Sequence, residues 1–246
     1  MTKPKSRGGV RVGQGSPDHA LTFAYLPLGV FIAALLSGLF SFAFQLGFAP
    51  PLISLGLLAI LIAAVCILTQ QFSTTAAAGT RLTLAHMGLV CLLGGVAAAP
   101  PAVFPDLMLW SLAVIAAGAT AIIALEAWLA EKIDAAGPFS RRLGHEASAL
   151  LVLSAAVLLW RSGRVDAWII GAGAIHYGVL ALSLKLPLCH RQSPAIWRPY
   201  LRPAVIATLV AALLPVLPPV VATVLGVVAL GLAGVGAAAD INAART

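Results

Sequence analysis

Charged residues are scarce in this chain of 246 residues: they make up 9% of it, and only 8 are acidic. Hydrophobic residues make up 61%, and the mean hydropathy is +1.01. A soluble domain is about half apolar and about a quarter charged, so this composition leaves too little polar surface to cover a water-soluble globule. It also excludes a disordered chain, because the apolar residues available for burial are in large excess.

Cysteine is equally sparse, and three residues do not make a disulfide framework. The apolar residues come in long blocks and do not alternate with polar ones, which excludes a membrane β-barrel. The sequence therefore predicts an all-α, polytopic helical membrane protein. A helix that crosses a bilayer needs about 20 mostly apolar residues. Eight blocks approach that length, near 21–44, 52–70, 82–98, 107–130, 146–160, 167–184, 203–217 and 220–239. The fifth and seventh blocks are short, so seven and nine spans are alternatives.

The basic residues predict which helix ends face the cytoplasm. With the N-terminus inside, only Arg161 and Arg164 of the 15 Lys and Arg residues fall outside. The others are Lys3, Lys5, Arg7, Arg11, Arg81, Lys132, Arg141, Arg142, Lys185, Arg191, Arg198, Arg202 and Arg245. This asymmetry predicts cytoplasmic termini and an even number of spans, and it explains the net charge of +7 without nucleic acid as a partner. Proline pairs at 50–51, 100–101 and 218–219 predict tight turns on the outer side.

Ionisable side chains inside the apolar blocks are functional candidates, because charge in a membrane is costly. Glu126 lies near the cytoplasmic end of the fourth block. One interpretation is that it pairs with a basic residue of the following segment or reaches the membrane interface. The other is that it faces a ligand. The available basic residues are Lys132, Arg141 and Arg142.

Three histidines accompany this glutamate. His86 lies in the first turns of the third block, and His176 lies near the middle of the sixth, where a hydrogen bond between close-packed helices is expected. His145 is predicted to open the fifth helix together with Glu146, because an acid interacts favourably with the positive end of the helix dipole. A zinc or manganese site formed by His86, Glu126 and His145 is an alternative. No tight spacing motif supports it, so no metal or cofactor is predicted.

The segment from the fourth to the fifth block carries a further pattern. Residues 126–131 read E-A-W-L-A-E and continue without a gap through Phe139 to residues 149–151. The flanking matches are Arg81-Leu82-Thr83-Leu84 upstream and Leu159-Trp160, Ala167-Trp168 and His176-Tyr177 downstream. This pattern resembles the CDP-alcohol phosphatidyltransferases, whose signature D-x2-D-G-x2-A-R-x8-G-x3-D-x3-D straddles a cytoplasmic loop between two membrane helices.

The resemblance implies a six-helix membrane core over residues 79–240, preceded by two extra spans over 20–78, as in some bacterial members of the family. Residues 1–19 are then a basic, disordered cytoplasmic tail, and residues 241–246 are a short tail. The first apolar block is longer than the apolar region of a signal peptide, so a retained anchor is expected. The implied location is the bacterial inner membrane.

The signature residues themselves are replaced, and of eight positions only Ala130 matches. The others are Ile123, Glu126, Ala127, Glu131, Ser140, Gly144 and Ser148, where the family has D, D, G, R, G, D and D. In the family, the aspartates bind divalent metal ions that hold the diphosphate of a CDP-linked lipid. A glutamate, a glycine and a serine supply too few oxygen ligands for such a pair of ions.

Three interpretations follow from this combination. The preferred one is a family-like scaffold without the standard catalysis, serving as a lipid-binding protein or as a subunit of a membrane complex. An active transferase that uses Glu126 with His86 or His145 is the second. An unrelated small transporter or accessory subunit is the third. The predicted partners are membrane lipids, with other membrane subunits as an addition, and the predicted lipid- or headgroup-binding residues are Glu126, His86, His145, Arg141 and Arg142.

Overall fold

The computed structural model describes residues 19–69, 78–99, 103–133, 138–185 and 198–245. Within these ranges the chain is all-helical. The α-helices are α1 (His19–Ala43), α2 (Ala49–Thr69), α3 (Ala78–Ala98), α4 (Asp106–Ile133), α5 (Pro138–Arg161), α6 (Ile170–Lys185), α7 (Arg198–Leu213) and α8 (Pro219–Arg245). A 3-10 turn, Ala167–Ile169, leads into α6. The prediction of an all-α protein is confirmed.

Several helix bounds differ from the apolar blocks that predicted them, and α8 runs to Arg245, so residues 241–245 are helical and not a separate tail. α5 begins at Pro138, two turns before the predicted start at 146. α7 runs over Arg198–Leu213 where the block ran over 203–217, so Pro203 lies inside the helix. Both α5 and α7 start in polar segments, because helix formation depends on backbone hydrogen bonds and not on apolar residues. Pro138 and Pro199 lie in their first turns, where proline is well tolerated.

The centre of the molecule is formed by α3 and α5, which pack against each other. α3 also contacts α1, α2 and α4, and α5 also contacts α6 and α7. Residues 90–97 of α3 are buried without interruption. At Gly95, α3 can pack closely against α2 only because glycine lacks a Cβ atom. A Cβ atom there would collide with the Pro50 carbonyl oxygen and the Ser54 side chain of α2.

The surface is strongly apolar where the helices face outward. α8 is the most exposed of the long helices, and large side chains such as Phe31, Phe42, Leu107 and Val220 lie on the outside. Monomeric soluble proteins rarely expose apolar surface on this scale. Exposed Trp110, Trp128, Trp160 and Trp168 add the amphipathic rings that are frequent at membrane interfaces.

Three of the described helices are long and apolar enough to cross a membrane. They are Asp106–Glu126 in α4, Leu143–Arg161 in α5 and Pro219–Ala239 in α8. Shorter apolar segments lie in α1, α2, α3, α6 and α7. The fold is therefore that of a helical membrane protein, with short turns at 44–48, 162–166 and 214–218 joining successive helices at one end.

Candidate functional site

Glu126 lies two turns before the end of α4 and faces both of the central helices. The hydroxyl of Thr83, in the second turn of α3, donates a hydrogen bond to its carboxylate. On the other side stands Gly144 of α5. A Cβ atom on Gly144 would lie 3.4 Å from Glu126 Oε2 and 3.9 Å from Thr83 Cγ2. The Glu126 carboxylate and Thr83 thus lie in the space that a side chain longer than alanine would enter at position 144.

His86 lies one turn after Thr83 on the same side of α3, since residues three apart are neighbours on a helix. Its exposed fraction is 0%. Among the described residues, neither His86 nitrogen has a hydrogen-bond partner, and neither does Glu126 Oε1. We call Thr83, Glu126 and Gly144 the Glu126 cluster.

A second polar group lies on the opposite side of α5 and joins α5 to α6 and α7. His176 Nε2 of α6 lies 3.4 Å from Glu146 Oε2. The rings of His145 and His176 meet edge-on, with centroids 5.5 Å apart. Arg202 of α7 reaches the same place, with Nη2 2.8 Å from His145 Nε2 and Nη1 donating to the His145 carbonyl oxygen at 3.3 Å. We call His145, Glu146, His176 and Arg202 the α5–α7 cluster.

This cluster corrects the prediction that His145 and Glu146 open the fifth helix. α5 begins at Pro138, so both residues lie two turns inside it, and Glu146 is buried. The free N–H groups of a helix end are confined to its first turn and do not reach them. The Glu146 carboxylate instead faces an imidazole of α6. The hydrogen bond expected for His176 between packed helices is formed with this carboxylate.

The predicted site residues are therefore divided between two places. Glu126 contacts α3, the helix that carries His86, whereas His145 belongs to the α5–α7 cluster. The side chains of Arg141 and Arg142 lie outside the described residues. Sequence reasoning missed Arg202 as a site residue, because we used it only to orient the chain. Arg202 lies near the start of α7, at the same end of the molecule as the start of α5, and this placement could have indicated that it lies near His145.

The Glu126 cluster does not fit a divalent metal ion. A hard divalent cation takes several oxygen ligands, usually carboxylates, and this cluster offers one carboxylate and one hydroxyl. Ser148, one turn beyond Gly144, donates its hydroxyl hydrogen bond to the Gly144 carbonyl oxygen at 2.7 Å and is buried. Within the described residues, no three His, Cys, Asp or Glu side chains come close enough to hold a metal ion.

No protein-family model matches the chain, and neither a curated protein nor a solved structure was found that is significantly similar to it. The class of protein is thus defined by the fold and the two clusters alone: a helical membrane protein with buried polar groups at one end of its central helices.

Proposed function

We propose that this protein binds a phospholipid headgroup at the Glu126 cluster, on a scaffold that resembles the CDP-alcohol phosphatidyltransferases, and does not catalyse headgroup transfer. The observation that carries the proposal is the approach of Glu126 to Gly144 across α4 and α5. On the signature spacing, these positions carry the second and third aspartates of the family. If the scaffold is shared, positions 126 and 144 must lie close together, because aspartates at these two positions would bind the same metal ion.

The absence of catalysis follows from the residues that replace the signature. Ile123 and Gly144 have no metal ligand, and the Ser148 hydroxyl is used within its own helix. Glu131 brings a negative charge where the family has an arginine that would pair with phosphate. These changes remove the groups that hold a diphosphate while they leave a carboxylate in a buried polar site.

The proposal includes a topology of eight spans with both termini in the cytoplasm of a bacterium. Thr83 lies near the start of α3, Glu126 near the end of α4, and Gly144 near the start of α5. Because successive helices run in opposite directions, these positions share one end of the molecule. The same end carries the segments with most of the basic residues, which by the positive-inside rule is the cytoplasmic end.

Phospholipid binding can be measured on the purified, delipidated protein in detergent by native mass spectrometry. We expect the wild type to retain one added phospholipid and Gly144→Leu to lose it, because leucine would fill the space beside Glu126. Gly118→Leu is the matched control: it adds the same side chain to α4 at a position with open space around it. Equal lipid occupancy in the wild type and Gly144→Leu, or no binding by the wild type, would overturn the proposal.

Catalysis is tested separately with CDP-diacylglycerol, candidate alcohols and Mg²⁺ or Mn²⁺. The proposal predicts no release of CMP. Release that disappears in Glu126→Gln and persists in Asp106→Asn, which removes a carboxylate from the opposite end of α4, would identify an active transferase with an altered site instead.

A further inference from the structure

The exposed face of α4 is apolar over most of the helix. Its side chains recur at intervals of three and four residues, which places them on one side of the helix. They are Trp110, Val114, Ala117, Ala121, Leu125 and Trp128. Every exposed side chain described between 110 and 128 is apolar, and the opposite face, with Leu112 and Ala116, is buried in the core. We call the six exposed residues the α4 stripe.

Two tryptophans close the α4 stripe, one at each end. Trp110 is 43% exposed and Trp128 is 54% exposed. They are 18 residues apart in the sequence. That separation is five full turns of about 3.6 residues, so both side chains leave the helix on the same side, and the rise of the helix puts their Cα atoms about 27 Å apart. Tryptophan is enriched at both membrane–water interfaces, so this spacing measures the apolar layer between them.

The neighbouring helix α5 gives a second measure of the same layer. Trp160 is exposed near its last residue, and the guanidinium of Arg161 stacks on that ring at 4.7 Å. Near its other end lies the exposed polar side chain of His145. The helix rises by about 22 Å from His145 to Trp160. The hydrocarbon core of a typical bilayer is about 30 Å thick, so both helices point to a thinner layer.

A second protein helix fits the α4 stripe less well than lipid chains do. The small residues Ala117 and Ala121 would let another helix approach. However, the indole N–H groups of Trp110 and Trp128 need hydrogen-bond acceptors, and the six apolar side chains of a second stripe would offer none. At the membrane interface, water and the polar parts of the lipids supply such acceptors.

We propose that the α4 stripe is a surface for the acyl chains of a bilayer whose hydrocarbon layer is about 27 Å thick, with Trp110 and Trp128 at its two interfaces. This inference goes beyond the proposed function and does not depend on headgroup binding. It also fixes the depth of the candidate site. Glu126 precedes Trp128 by two residues, so its backbone lies about 3 Å further inside than that of Trp128, at the boundary between lipid headgroups and chains.

The stripe can be mapped in vesicles by the quenching of tryptophan fluorescence with brominated phosphatidylcholine. One variant keeps only Trp110 and another only Trp128, with phenylalanine at the remaining tryptophan positions. The bromine atoms are placed either near the glycerol backbone or near the chain ends. We expect about twofold stronger quenching of both rings by the first lipid, because interfacial rings lie at the level of the headgroups.

Ala121→Trp, in a chain without other tryptophans, is the matched control. It puts the ring near the middle of the stripe, so the order of quenching by the two lipids should be reversed. Ala117→Trp gives a second position near the middle, and a thermal melt shows which variants are folded.

Vesicles with longer acyl chains test the spacing itself. When the hydrocarbon layer is about 33 Å thick, the two rings cannot both reach an interface unless the bilayer deforms, so at least one should lose its twofold preference. Equal quenching of Trp110 and Trp128 by the two lipids, or a preference that both keep in the thicker bilayer, would overturn the inference. A ring at position 121 that neither lipid quenches would also overturn it, because a protein surface such as a second copy would then cover the stripe. Headgroup binding at the Glu126 cluster is measured separately and stands or falls by its own test.

Discussion

Arg164 joins the turn after α5 to the turn after α7. Its Nε donates to the Ala212 carbonyl oxygen at 2.9 Å, and its Nη2 donates to those of Leu214 and Leu217, each at 2.8 Å. Carbonyls at the end of a helix lack partners within the helix, so this one guanidinium satisfies groups that would otherwise need water. Burial lowers the pKa of Arg164, and nearby Asp106 acts in the opposite direction. Arginine stays protonated in either case.

Arg164→Met should therefore destabilise the protein although it changes no apolar contact. We expect a loss of about 2 kcal/mol, because charge-assisted hydrogen bonds are removed and carbonyls lose their donor. For a chain of this size, that loss corresponds to a melting temperature lower by ~4–8 °C. Arg161→Met is the matched control: Arg161 is exposed and stacks on the Trp160 ring at 4.7 Å, so its removal should shift the melting temperature by less than about 3 °C. Equal shifts in the two variants would contradict this role for Arg164.

Only some residues of the candidate site could be recognised from the sequence. Glu126 could be predicted as a candidate because a carboxylate in an apolar block is costly. The resemblance placed Gly144 at a signature position, but that Thr83 and Gly144 lie beside Glu126 depends on how α3, α4 and α5 pack. Glu146 was misinterpreted because its surroundings depend on where α5 begins. Hydropathy does not detect the start of a helix whose first turns are polar.

Among the helices, α5 and α6 approach each other closely at Gly173. A Cβ atom on Gly173 would lie 2.8 Å from Leu153 Cβ and would also collide with the Leu153 backbone. Small residues allow membrane helices to approach this closely. A Cβ atom on Gly178, further along α6, would have no other atom within 4 Å.

These two glycines provide a matched test of the α5–α6 contact. Gly173→Ala should destabilise the protein by about 1–3 kcal/mol, because the added methyl group separates the two backbones. Gly178→Ala should be neutral, or stabilising by up to about 1 kcal/mol, because alanine favours a helix and meets nothing there. Thermal unfolding in detergent measures both. An unchanged melting temperature for Gly173→Ala would show that the two helices are not packed at this point.

The helices were predictable from hydropathy to the extent that burial in lipid or in the core determines them. Each of the eight apolar blocks overlaps a helix, and the prolines at 138 and 219 are the first residues of helices. The start of α7 was not predictable in the same way, because Arg198–Arg202 is polar and Pro203 suggested a beginning. The 3-10 turn at Ala167–Ile169 was also missed, since it lies within an apolar run that predicts one continuous helix.

In the whole molecule, the two clusters lie at the end of the helix bundle whose connecting segments carry most of the basic residues. The turns at the opposite end contain few charged residues, and Arg164 uses its charge on helix carbonyls there. The apolar belt between the two ends includes the three helices that are long enough to cross a membrane.

This orientation can be measured with single cysteines in a variant whose three native cysteines are replaced by alanine. Ser162→Cys lies in the turn after α5 and should react with a membrane-impermeant maleimide on intact bacterial cells. Ala136→Cys lies in the segment between α4 and α5 and should react only after permeabilisation. The reversed pattern would invert the topology and place the Glu126 cluster at the outer side.

The proposed resemblance to the phosphatidyltransferases implies that Glu126 and Gly144 occupy positions of a metal site in which only Glu126 is still a carboxylate. Its most direct test is Mn²⁺ binding followed by electron paramagnetic resonance on the triple variant Ile123→Asp, Gly144→Asp, Ser148→Asp, with Glu126 retained. We expect this variant to bind Mn²⁺ and the wild type and the corresponding triple asparagine variant not to bind it. A folded triple aspartate variant that binds no more Mn²⁺ than the asparagine variant would contradict it.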